Sequence, residues 1–150
     1  MTYQIKEMSK SRIAYMRRVG PYGEGNYDLL KKFKEWAKAN GLFTESAVIL
    51  GISQDNPATT TPESCRYDVG VVVSEDFTIT DADVNVVELS GGRYAVFTID
   101  HTAEAIQKAW GEIFVQLSAE SQQPDVSRPI LERYIPAMIA KHLCEICVPV

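Results

Sequence analysis

Basic residues are outnumbered in this chain. Lys and Arg total 15 against 20 Asp and Glu, for a net charge of -5. A protein that neutralises phosphates needs a basic face, so this balance argues against direct nucleic-acid binding. Lys31, Lys32, Lys34 and Lys38 cluster, but on one helix-like segment, where a solvated face explains them. No apolar run approaches the roughly 18 residues needed to span a bilayer, so no membrane partner is expected. No secretory pattern follows Met1, which leads straight into alternating residues. Cysteine is sparse and odd in number, three in all, which implies reduced thiols and a cytoplasmic setting, not a disulfide framework. Cys144-x-x-Cys147 lies beside His142, but no second cysteine pair exists to complete a zinc site. Residues three apart on a strand also point to opposite faces, so neither metal nor cofactor is expected. Histidine is limited to His101 and His142, with no nucleophile elbow to form a triad. Gly20-x-x-Gly23-x-Gly25 lacks the Gly-Lys-Ser/Thr ending of a phosphate loop and reads as a strand-to-helix turn.

What is present is ordinary globular material. Hydrophobic residues make up 45% and charged residues 23% of 150 residues, enough for one core and one domain over 1–150. Tyr3–Met8 alternates as a strand, and Arg12–Val19 forms a second. Asn26 is placed to cap a helix over about 26–40, on which Leu29, Leu30, Phe33, Trp36 and Ala37 recur at helical spacing. Ala47–Ile52, Tyr67–Val73 and Asn85–Leu89 read as strands. The order then restarts. Arg93–Ile99 is a strand, and Thr102 caps a second helix with Ile106, Ala109, Trp110, Ile113, Phe114 and Leu117 on its apolar face. Pro129–Ile135 and Leu143–Val148 follow as strands. Each half runs strand, helix, strand, strand, with a Trp on the helix and an acidic residue in the last strand, Asp68 or Glu145. Two such units predict an α+β fold: an antiparallel sheet with both helices on one face and a groove along a pseudo-twofold axis.

Several segments resemble the GyrI-like superfamily. They are Tyr3-Gln-Ile-Lys, Val19-Gly-Pro-Tyr22, Asp55-Asn-Pro57, Ser90-Gly-Gly-Arg-Tyr-Ala-Val96, Leu131-Glu-Arg-Tyr134 and Cys144–Val150. The resemblance spans nearly the whole chain, in order. It is to a stand-alone copy of the effector-binding domain of AraC-type and MerR-type regulators, and equally to DNA gyrase inhibitory proteins. No helix-turn-helix segment precedes it, so DNA binding by itself is not expected. The resemblance implies an aromatic-lined groove around one buried glutamate that attracts cationic, drug-like molecules. That glutamate matches Glu132, with Tyr134 two residues on. Three functions follow: a small-molecule-binding module, a gyrase inhibitor acting by protein–protein contact, or a hydrolase of cyclopropane-containing alkylating compounds. In the last, Glu132 and Tyr134 would act on water. Monomer and homodimer both stay open.

The residues themselves allow two readings. Alternation puts Ile130, Glu132 and Tyr134 on one strand face and Leu131, Arg133 and Ile135 on the other. Taken alone, this is a surface strand with Glu132 and Arg133 solvated. With the family pattern, Glu132 faces Gly51 and Tyr134 faces Ser53, and the small residues leave room for a ligand. Tyr15, Tyr67, Tyr94 and Tyr134, with Trp36 and Trp110, are either core residues or, around Glu132, an aromatic cage for a cation.

Overall fold

The computed structural model describes residues 1–150. Its elements in chain order are β1 (Tyr3–Met8), β2 (Ser11–Val19), α1 (Glu24–Ala39), β3 (Ile49–Ser53), β4 (Arg66–Val73), β5 (Asn85–Leu89), β6 (Gly92–Asp100), α2 (Ala103–Ala119), β7 (Leu131–Tyr134), α3 (Pro136–Ile139) and β8 (Leu143–Pro149). A 3-10 turn at Pro62–Ser64 precedes β4. The strands form one antiparallel sheet in the order β1-β6-β8-β7-β3-β4-β2-β5.

That order is its own mirror once each element of the first half is exchanged for its counterpart in the second. The expected duplication is therefore written into the sheet. β3 and β7 meet at the centre, with Gly51 opposite Glu132. The pseudo-twofold axis passes through this pair. The sequence offset that takes Gly51 to Glu132 also takes Ser9-Lys10 to Ser90-Gly91.

The sheet has to curl. β1 and β2 stand six strand spacings apart in the order, about 29 Å in a flat sheet. Only Ser9 and Lys10 join them, and the three Cα steps from Met8 to Ser11 reach about 11 Å. The register shows how the gap closes. Residues 3–8 of β1 pair with 97–92 of β6, and residues 11–15 of β2 pair with 89–85 of β5. These are two stretches of one continuous ladder between two long bent strands, broken only at 9–10 and 90–91. The break is tight. Gly91 has φ +64, and a Cβ there would run into the backbone of Met8–Lys10, so only glycine fits.

Both long helices lie on one face. The main core combines Leu29, Phe33 and Ala37 of α1 with Ala109, Ile113 and Leu117 of α2, over Ala14, Val69, Phe97 and Ile146 of the sheet. Phe33 and Ile113 are fully buried, each worth about 1.5–3 kcal/mol relative to exposure. The other, concave face carries a second cluster of Ile13, Leu50, Ile52, Tyr94, Val96, Leu131 and Cys147. Cys144 and Cys147 are both buried, on opposite faces of β8.

Two local expectations are corrected. Asn26 does not cap α1. Gly23 holds that position without a side-chain bond, and Asn26 instead accepts a hydrogen bond from Arg18. Thr102 does cap α2, accepting from the Ala105 N–H at 3.0 Å. The two tryptophans are not equivalent. Trp36 lies on the outer flank of α1, donating to Asp81 at 2.7 Å and packing edge-on to Phe77. Trp110 lies on the inner flank of α2, at the position that Leu30 holds on α1.

Candidate functional site

Four helix-side positions on three strands converge where the axis crosses the sheet. β7 presents Glu132 and Tyr134, β3 presents Gly51, and β4 presents Tyr67. Tyr134 donates from its hydroxyl to Glu132 Oε2 at 2.5 Å, and the Tyr67 hydroxyl lies 3.4 Å from Oε1. Both rings are buried. Glu132 as a residue is partly exposed, yet its carboxyl group lies deep under the two rings. Burial pushes the carboxyl above its ordinary range, and the two hydroxyl bonds only partly offset this. Burial and the adjacent carboxylate push both tyrosine hydroxyls upward, so they remain donors.

No Lys, Arg or His nitrogen pairs with Glu132. The other two withdrawn carboxylates, Asp68 and Glu145, each have an arginine. Arg17 grips Asp68 through two bonds of 2.6 and 2.9 Å, and Arg133 lies 3.4 Å from Glu145. Both pairs are on the concave face. Glu132 alone faces the helices with a carboxylate that no cation balances.

The walls come from the helices and the loops before them. On α2, Gln116 reaches the Met1 carbonyl beside edge strand β1, so the opposite flank, bearing Trp110 and Phe114, faces inward. Those rings stack at 6.4 Å between centroids. On α1, Trp36 faces outward, which turns Leu30 and Lys34 inward. Burial lowers the Lys34 pKa, and Lys34 in turn helps lower that of His101, after burial of the imidazole itself. The two strand-to-helix loops each set a ring edge-on against a floor tyrosine: Tyr22 on Tyr67 at 6.3 Å and His101 on Tyr134 at 5.6 Å. Tyr22 is anchored there, its hydroxyl within 2.8 Å of the Arg66 carbonyl.

Of the residues singled out in the sequence, Glu132, Tyr134, Tyr67 and Gly51 meet at one point, and Trp110 stacks on Phe114 of α2. Tyr15, Tyr94 and Trp36 do not belong to this groove. Tyr15 and Tyr94 point to the concave face, where Arg17 and Arg128 lie over their rings. Gly51 does face Glu132, but antiparallel pairing puts Tyr134 opposite Ile49, not Ser53. Nor does Gly51 leave an empty space. A Cβ there would collide with the Tyr67 hydroxyl, so the glycine makes room for that ring. Tyr22, Lys34, Phe114 and His101 also stand at these walls, and the sequence pattern does not mark them as groove residues. The available signal for Tyr22 and His101 was their matching place in the two halves, just before each helix.

The family described as a GyrI-like small molecule binding domain matches residues 1–150. YosT, an SPbeta prophage-derived protein of Bacillus subtilis (strain 168) named as a transcriptional regulator, is 49% identical over 151 residues, covering 100% of this chain and 99% of its own. The DNA gyrase inhibitor of Escherichia coli (strain K12) is 27% identical over 137 residues, covering 90% of this chain and 86% of its own. The EcmrR C-terminal domain superposes with a TM-score of 0.74 at 17% identity, over 99% of this chain and 98% of that one. SAV2435, solved bound to tetraphenylphosphonium, superposes with a TM-score of 0.62 at 17% identity, over 100% of this chain and 94% of that one. At such identities the two structures speak for the fold.

Proposed function

The chain belongs to the GyrI-like small molecule binding domain family, and from that membership we propose that it captures lipophilic, aromatic cations in the groove between α1 and α2. Glu132 supplies the charge that selects them. The observation that carries this reading is the missing counter-ion: of three carboxylates withdrawn from water, only Glu132 lacks a basic partner. Such a group gains from a cation and gains nothing from a neutral ligand of the same shape. Tyr67 and Tyr134 hold the carboxylate through their hydroxyls, and their rings with that of Trp110 supply aromatic surface for a cation. The tetraphenylphosphonium seen on SAV2435 is a ligand of this chemical kind. Calorimetric titration with tetraphenylphosphonium and with neutral triphenylphosphine oxide tests the reading. The cation is expected to bind at least tenfold more tightly. Equal affinities would remove Glu132 from ligand selection.

A second reading rests on the relatives named as DNA gyrase inhibitors, which align over most of this chain. It proposes contact with gyrase itself. Loss of supercoiling by gyrase in the presence of the purified protein, without plasmid binding by the protein alone, is the expected sign.

A further inference from the structure

The curled sheet forms an open cleft on its concave face, on the far side from Glu132. Its volume is about 360 Å³, within the range of small-molecule sites. Leu50, Val72 and Leu131 line it with apolar surface, and Tyr94 and Arg133 stand at one side. Its rim includes Met8, Ser9, Leu89 and Gly91, the stretch where the long ladder is broken.

The pseudo-twofold relation isolates what is unusual here. The offset that takes Gly51 to Glu132 takes Leu50 to Leu131, Ile13 to Tyr94 and Ile52 to Arg133. Two aliphatic side chains of one half are thus replaced by a phenol and a guanidinium in the other. The two buried carboxylates of this face differ in the same sense. Asp68 is closed off by two bonds from Arg17 and a third from Gln54 at 3.0 Å. Glu145 is not. Its Oε1 lies 3.4 Å from Arg133 Nη1 without a hydrogen bond and is buried with no partner. Arg133 donates to no oxygen of the protein, although a guanidinium carries five N–H groups in a rigid fork. Unspent donors beside the apolar part of a cleft make a receptor for a carboxylate.

We propose that the interior of the curled sheet is a second ligand site, which takes a small aromatic or branched aliphatic carboxylic acid. The carboxylate sits on Arg133, and the apolar body lies against Leu50, Val72 and Leu131. Lys6 adds positive charge at the rim. Glu7, also at the rim, and Glu145 behind Arg133 oppose a second anionic group, so the site selects monoacids. Leu131 and Glu132 are consecutive on β7, so the acid site and the groove stand back to back across a single strand.

Calorimetric titration with 2-naphthoate and neutral 2-naphthamide provides the test. The acid is expected to bind the parent at least tenfold more tightly than the amide. Arg133→Met alone would strand Glu145 as a buried charge, so the informative variant is Arg133→Met with Glu145→Gln. It should lose at least tenfold for the acid. Val72→Trp fills the cleft from a position that is 36% exposed and should abolish acid binding, with the fold checked by circular dichroism. Glu132→Gln should leave acid binding unchanged. The proposal is overturned if the parent does not bind the acid at millimolar concentration or does not prefer it over the amide. It is also overturned if the double variant or Val72→Trp binds it as the parent does, or if Glu132→Gln removes it.

Discussion

Glu132 differs from the chain's other withdrawn carboxylates in what holds it. Asp68 and Glu145 answer to guanidinium groups, whereas Glu132 answers to two phenol hydroxyls, which stabilise the charged form without neutralising it. The 2.5 Å bond from Tyr134 is the stronger of the two by length, and the 3.4 Å contact from Tyr67 the weaker. Tyr134→Phe should therefore raise the Glu132 pKa further, because one of the interactions that lower it is gone. Tyr67→Phe should raise it less. Carbon-detected NMR titration of the side-chain carboxyl measures both. If the two variants shift it equally, the hydroxyls are not placed as described. At this scale the sequence was partly legible. Period-two alternation put Glu132 and Tyr134 on one face, as observed. The same argument could not separate Tyr15 and Tyr94 from Tyr67, because which face of a strand meets the helices depends on register with distant strands.

Among the elements, the two helices were the most legible. Stripes recurring every four residues, as at Leu29, Phe33 and Ala37, specify a helix without reference to its neighbours. The short α3 over Pro136–Ile139 was not legible, since a single four-residue turn is too short to show helical periodicity. Strand extents were close, but the sheet order was hidden. β1 and β2 read as two successive strands, which says nothing of their partners: β1 pairs with β6, and β2 with β4 and β5. Gly91 is the joint that permits this. Gly91→Ala must place a Cβ against the Met8–Lys10 backbone at φ +64. The expected cost is about 2–4 kcal/mol, combining backbone strain with overpacking. Urea denaturation should show the midpoint falling without a change in slope. A variant as stable as the parent would mean that the two long strands cross elsewhere.

As a whole, the molecule is two halves that complete each other. β1 belongs to the first half in sequence and pairs with β6 of the second, and β5 reciprocates on β2. Cutting the chain between β4 and β5, in 74–83, should give fragments that are unfolded alone and regain strand and helix signal when mixed. Circular dichroism reads this directly, and a fragment folded by itself would contradict the interlocked ladder. The repeat order was visible in the sequence, but its interlocking was not, because two linkers of two residues look like ordinary hairpin turns. Ligand, proton and fold are also linked across the whole molecule. Burial raises the folded-state pKa of Glu132 above its unfolded value, so the folded chain favours the neutral acid. The stability tied to that proton is fully present below the ordinary value of 4.5 and is lost as pH rises through the raised value. A bound cation reverses the preference, because it needs the carboxylate, so binding releases a proton and tightens over the same pH window. Glu132→Gln keeps the shape and removes both effects, at a cost to cation affinity of about 2–4 kcal/mol. The decisive measurement is therefore the dissociation constant of tetraphenylphosphonium, titrated upward from pH 4.5 on the parent and on Glu132→Gln. The parent should tighten by up to about tenfold per pH unit before levelling off, while the glutamine variant stays weak and flat. Equal affinity, or the same pH slope in both proteins, would contradict the assignment of Glu132 as the residue that reads the ligand's charge.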